Sequence, residues 1–239
     1  MSKFLLLMLC LVGLLTASCS KTADPAPAAS AAFTLSTSIA EVGEPVQLTA
    51  IGQNVTKYEW RSSDAPNNVF TGASPVFSAT STGSFVITLT AYNSENKAVT
   101  SSQTIKIGKR YLKEMRLTSL NFLNTSGTAW DIDGSGPDVY LTLKPTASTA
   151  TATRTATINN VQAANLPLTW SPGTGNTVEL TKEGWTFAVL DEDAIGNDYM
   201  AGWNVAMNLL PPPARDAFGN GTYTLTAGQY TLLLLYETK

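Results

Sequence analysis

The sequence predicts an all-β protein: two β-sandwich domains behind a short apolar leader and a flexible tether. Two patterns and the composition carry that reading. Short runs alternate apolar with polar residues, among them Val46-Gln47-Leu48-Thr49-Ala50 and the stretch from Phe85 to Tyr92, and turn residues bound each run. Glycines recur at turn spacing, at Gly43, Gly52, Gly72 and Gly83 in the first half. Threonine, alanine, serine, glycine and valine dominate, and no sustained apolar stripe of helical period accompanies them. Past the leader roughly 220 residues remain, enough for two ordinary domains.

Residues 1–18 form the leader. Lys3 precedes an apolar run from Phe4 to Leu15, and the small residues Ala17 and Ser18 follow it. About a dozen apolar residues cannot cross a hydrocarbon layer that needs ~20, so the run reads as an export signal ending in a cleavage site. Leu15-Thr16-Ala17-Ser18-Cys19 resembles the end of a bacterial lipoprotein signal. The resemblance implies that Cys19 is lipidated and becomes the first residue of the mature chain. One acyl chain binds a bilayer marginally, and two or more hold it stably, so the mature protein would be a tethered, otherwise soluble chain. It would sit in the bacterial cell envelope, at the outer membrane or cell surface ahead of the inner membrane.

The composition excludes several chemistries. The two cysteines are Cys10, inside the leader, and Cys19, whose sulfur goes to lipid, so neither a disulfide nor a thiol nucleophile is expected. Histidine is absent, which removes the commonest general base and nearly all zinc chemistry. Loss of Lys3 with the leader leaves 14 basic against 18 acidic residues, a net charge of −4 with no bulk attraction for nucleic acid.

Residues 19–32, rich in alanine and proline, read as a lipidated, mobile tether. Residues 33–108 read as the first sandwich, with strands at Val46 to Ala50, Lys57 to Arg61, Phe85 to Tyr92 and Gln103 to Ile107, and with Trp60 as a core residue. Val42-Gly43-Glu44-Pro45-Val46, Tyr58-Glu59-Trp60 and Thr82-Gly83-Ser84-Phe85-Val86 through Asn93 resemble the polycystic-kidney-disease (PKD) domain. That resemblance implies an immunoglobulin-like spacer of cell-surface proteins.

Gly108-Lys109-Arg110 marks the boundary, and residues 109–239 read as a second sandwich. Its eight strands are expected around Met115 to Phe122, Val139 to Leu143, Thr153 to Asn159, Leu166 to Trp170, Thr177 to Leu180, Trp185 to Leu190, Ala201 to Leu209 and Tyr230 to Glu237. Pro211-Pro212-Pro213 cannot donate to a ladder and reads as a loop.

Seven of the eighteen acids fall in two short stretches of this second block, residues 130–140 and 189–200. Crowded like charges repel unless a cation neutralises them, and all-oxygen ligands on glycine-permitted turns suit Ca²⁺ better than Zn²⁺ or Mg²⁺. Asp133 five residues before Asp138, with Asp138-Val139-Tyr140 opening a strand, resembles the first calcium loop of the C2 domain, an eight-stranded sandwich. Asp191-x-Asp193 followed by Asp198 resembles its other acidic loop. The resemblance implies Asp133, Asp138, Asp191, Asp193 and Asp198 as ligands, with Asp131 as the alternative to Asp133. The alternative from the residues alone is that these acids are solvated turns.

Trp130, Trp170, Trp185 and Trp203 could stack on sugar rings, or they could be core. Catalysis through Asp191 and Asp193 is the less natural reading, because alternate residues on one strand end crowd into a metal site sooner than they flank a bond. The expected function is therefore non-enzymatic: adhesion or ligand binding at the cell envelope, the ligand being a glycan or a protein. The alternatives are a carbohydrate-binding surface lipoprotein and a purely structural envelope component.

Overall fold

The computed structural model describes residues 24–172 and 178–239, so the leader, Cys19 and the first residue of the strand expected at Thr177 lie outside the described residues. Among the described residues no helix is long and apolar enough to cross a membrane, and the one helical element is a 3-10 turn at Ala163–Asn165.

Eight strands build the first unit: β1 (Phe33–Leu35), β2 (Ile39–Glu41), β3 (Val46–Ala50), β4 (Lys57–Ser62), β5 (Ala65–Thr71), β6 (Val76–Phe77), β7 (Gly83–Tyr92) and β8 (Ala98–Gly108). A three-stranded sheet ordered β1-β3-β6 faces a five-stranded sheet ordered β2-β8-β7-β4-β5, in which β2 runs parallel to β8 and the other neighbours are antiparallel. The alternation seen in the sequence decides what faces inward: Val46 and Leu48 from one sheet meet Trp60, Phe85, Ile87, Leu89, Ile105 and Ile107 from the other. Trp60 is fully buried, stands edge-on to Phe33 at 5.1 Å between ring centres, and donates its indole N–H to the Gly72 carbonyl at 2.9 Å.

The second unit contains β9 (Arg110–Ser119), β10 (Val139–Pro145), β11 (Thr153–Arg154), β12 (Leu168–Trp170), β13 (Trp185–Glu192), β14 (Asn197–Val205), β15 (Asn220–Ala227) and β16 (Tyr230–Thr238). Two four-stranded sheets, β11-β10-β13-β14 and β12-β9-β16-β15, enclose one apolar core. In β16 the run Leu232 to Leu235 divides by period two. Leu232 and Leu234 are fully buried, while Leu233 and Leu235 lie half-buried on the other face, opposite Arg116 and Glu114.

Several expectations need correction. Residues 26–32, expected within a tether, lie hydrogen-bonded along the first sandwich. The Ala26 N–H donates to Glu95 at 2.7 Å, the Asn93 amide to the Pro27 carbonyl at 3.1 Å, the Asn54 amide to the Ala28 carbonyl at 3.1 Å, and the Ile51 N–H to the Ala32 carbonyl at 2.7 Å. Small side chains let this backbone lie against the sandwich, where side-chain amides satisfy its carbonyls. No strand forms over residues 178–180, where Glu179 makes a single bridge to Tyr111. The strand expected over Thr153 to Asn159 is two residues long with a separate bridge at Ile158, and the one expected over Ala201 to Leu209 is displaced to Asn197–Val205. β15 answers to no strand expected from the sequence.

Strand direction sets the two poles of the second unit. β9 starts beside the first unit at Arg110, and the chain after β14 returns there, since the Met207 carbonyl accepts from the Arg110 guanidinium. The opposite ends of β13 and β14, at Glu192 and Asn197, therefore lie at the far pole. In the first unit β8 ends at the junction, so its hairpin with β7, where residues 26–28 dock, occupies the end of that unit away from the junction.

Candidate metal centre

The far pole gathers the acids. β13 explains why one of them is buried: Trp185, Phe187, Val189 and Asp191 occupy successive inward positions, so the phase that fills the core also carries a carboxylate into it. Asp191 is 0% exposed. Its Oδ1 accepts the Asp138 backbone N–H at 2.6 Å, and the Glu192 N–H in turn donates to the Asp138 carbonyl at 2.8 Å, tying the start of β10 to the end of β13. Asp191 Oδ2 is buried without a hydrogen-bond partner, and so is Asp131 Oδ2. Such orphaned oxygens cost free energy unless something supplies positive charge or a donor.

Asp131, Asp191 and Asp193 each offer one carboxylate oxygen to a group in which all three lie within 4.8 Å of one another. Among the described residues none of the three forms an ion pair. Burial pushes the Asp191 carboxyl up to about 6, and the charges of Asp131, Asp193 and Asp138 add to the rise against the opposing Asp138 N–H. Asp193 is raised as well, first by burial and then by Asp198, Asp131 and Asp138.

The other predicted ligands take different places. Asp133 stands outside the group: its Oδ1 accepts the Ser135 N–H at 2.9 Å in a local turn, and bonds from the Ser135 side chain and backbone lower its pKa. The alternative, Asp131, is the residue that comes inside. Asp138 braces the loop, since its Oδ1 accepts the Asn160 N–H at 2.7 Å. Asn160 accepts the Gly136 N–H at 2.9 Å, and a Cβ on Gly136 would fall 2.1 Å from the Val161 carbonyl oxygen, so glycine is required for this approach. Asp198 is exposed and lies close enough to Asp193 to raise its pKa. Glu192 turns away to Thr157 and to Arg154, whose guanidinium lies over the Tyr140 ring at 3.7 Å.

An all-oxygen donor set with two orphaned buried oxygens fits a hard cation. Three carboxylates supply fewer than the 6 to 8 oxygens Ca²⁺ takes when each binds through one oxygen, leaving positions for carbonyls, water or a ligand. Ile132 and Ile195, on the loops that carry Asp131 and Asp193, are almost wholly exposed. Trp130, Trp170, Trp185 and Trp203 are all buried in the second core and form no exposed platform.

No family model and no curated protein matches the chain. Among solved structures it is similar to a carbohydrate-binding module of the β-sandwich superfamily, with 9% identity, 90% of this chain and 92% of that one covered, and a TM-score of 0.33. It is also similar to dimeric latent PorU from Porphyromonas gingivalis, with 9% identity, 78% of this chain and 21% of that one covered, and a TM-score of 0.31. A third similarity is to fibronectin(III)-like modules of Clostridium thermocellum CbhA, with 12% identity, 77% of this chain and all of that one covered, and a TM-score of 0.29. All three similarities are loose.

Proposed function

We propose that the chain is a lipid-anchored binding or adhesion protein of the bacterial cell envelope, held to the membrane through Cys19, with a PKD-like spacer and a C2-like head that holds Ca²⁺ at its far pole. It is not an enzyme in this reading. The observation that carries it is Asp191: a fully buried carboxylate with one oxygen unpartnered, beside Asp131 and Asp193. Carboxylates buried without a counter-charge are costly, and a divalent cation offsets that cost for all three at once. The placement suits the role, because the site lies at the pole opposite the docked N-terminal segment. A glycan ligand would have to be met without the four tryptophans; Tyr199, exposed beside Asp198, is an aromatic ring available at that pole.

Calorimetry of the mature chain with Ca²⁺ tests the proposal. A site of the extracellular type, with Kd around 10⁻⁴ M, should stabilise the fold by roughly 2.7 kcal/mol at a hundredfold excess over Kd. Replacing Asp191 and Asp193 together with Asn should abolish both the binding heat and the rise in melting temperature. Absence of binding heat in the wild type, or an undiminished response in the double variant, returns the acids to ordinary turns.

A further inference from the structure

The joint between the two units is one residue long: β8 ends at Gly108 and β9 begins at Arg110. So short a connection permits bending in principle, but the groups packed around it oppose bending. Glu41, on β2 of the first unit, is 6% exposed, and its carboxylate is held entirely by the second. Arg110 donates to it twice, from Nε at 2.9 Å and Nη2 at 2.7 Å; Arg215 Nη1 adds a contact at 3.3 Å and the Thr238 hydroxyl another at 3.3 Å. The two-point pairing of Arg110 fixes orientation as well as distance.

Arg110 is 2% exposed and spends all five of its N–H groups. Beyond Glu41 they go to the Met207 carbonyl at 3.3 Å, the Leu210 carbonyl at 3.2 Å and the Tyr223 hydroxyl, while its guanidinium lies against the Tyr223 and Tyr236 rings. Arg215 reaches back to the Ile39 carbonyl at 3.1 Å and to Glu44, and Glu44 closes the ring by accepting the Glu41 N–H at 2.8 Å. Two guanidiniums and two carboxylates thus form a neutral cluster across the joint. A hinge motion would separate these largely buried charges, and leaving one unpaired is strongly unfavourable.

The backbone reinforces the cluster. Lys109 donates to the Lys239 carbonyl at 2.9 Å and accepts from the Lys239 N–H at 3.0 Å, so main-chain pairing spans the connection itself. A Cβ on Gly108 would fall 2.6 Å from Lys239 backbone atoms, which shows how closely the two chains approach.

We infer that the two sandwiches are clamped by Glu41, Arg110 and Arg215 into one rigid strut that fixes the separation of the acidic pole from the N-terminal segment. At about 3.3 Å per residue, strands of 11 and 10 residues on either side of the joint set an upper bound of about 70 Å on the length of their span. This inference stands on the joint alone and is independent of any metal.

Pulsed electron-spin distance measurement tests it on the mature chain carrying Cys19→Ser, which then has no other cysteine. Nitroxides at Ser94→Cys and Ile195→Cys report the length of the strut, and a pair at Ser94→Cys and Thr82→Cys, within the first unit, gives the reference width. A single distance distribution no more than about 1.5-fold wider than the reference is expected. A wild-type distribution several times wider, or one with separate maxima, overturns the inference outright. Glu41→Gln and, separately, Arg215→Met should each widen the strut distribution at least twofold while leaving the reference pair unchanged. Folded variants that leave the strut distribution as narrow as wild type would show that the clamp is not what holds it.

Discussion

Asp191→Asn exchanges one carboxylate oxygen for an amide nitrogen without changing shape, so it isolates charge from packing. The amide oxygen can keep the Asp138 N–H bond that Oδ1 accepts at 2.6 Å, and the new amide nitrogen takes the place of Oδ2, which has no partner. With its pKa raised from 3.8 to about 6, the folded state holds its Asp191 proton more tightly than the unfolded chain does. Stability in chelator therefore falls as pH rises from about 4 through 6 and is level above that. A rise of this size corresponds to about 3 kcal/mol at neutral pH, to order of magnitude. Removing the charge should restore that amount, raising the melting temperature in EGTA at pH 7.5 by about 6–12 °C for a chain of this size. At pH 4 the advantage should largely vanish, because the wild-type carboxyl is then protonated. Adding Ca²⁺ should narrow or reverse the order, since wild type gains the ion and the variant does not. Scanning calorimetry at the two pH values with EGTA or Ca²⁺ reads all of this. A variant less stable than wild type in EGTA at pH 7.5, or an advantage equal at both pH values, would refute the reasoning.

Three further outcomes are expected. Gly136→Ala forces a Cβ against the Val161 carbonyl and should cost about 1–3 kcal/mol by denaturant titration, with weaker calcium binding as the loop shifts. Cys19→Ser should abolish incorporation of radiolabelled palmitate, and incorporation equal to wild type would dismiss the anchor. Residues 24–108 expressed alone keep a complete apolar core and should give a dispersed β-type NMR spectrum that calcium leaves unchanged; a disordered spectrum would show that this core needs its neighbour.

How much was legible follows from how local each signal is. β3, β4 and β7 could be read almost to the residue, because runs such as Phe85 to Tyr92 alternate over their whole length, whereas β8, expected at Gln103 to Ile107, already begins at Ala98. β1, β2 and β6, two or three residues long, cannot express a period. β15 was hidden because it is an edge strand with no fully buried residue, and because Gly219 and Gly221 read as turn. At the far pole the sequence offered six candidate aspartates, but spacing could not tell Asp131 from Asp133. Only the fold shows that one turns inward and the other closes its own turn on Ser135. The sequence does carry one local signal for Asp191: Trp185, Phe187 and Val189 set an inward phase that Asp191 continues. The clamp had no such signal. Glu41 and Arg110 are 69 residues apart, and each alone reads as an ordinary surface charge.

The phase of β13 makes the acidic pole depend on counting. Asp191 faces inward because it lies an even number of steps along the strand from Trp185, and each step reverses the side on which a residue emerges. One residue inserted between positions 185 and 190 would turn Asp191 toward water and bring Leu190 to its inward position, with no side chain of the pole itself altered. An insertion of two would restore the facing while lengthening the strand. The pole's chemistry is thus encoded in parity, and a length change six residues away can delete it as completely as substituting the carboxylate.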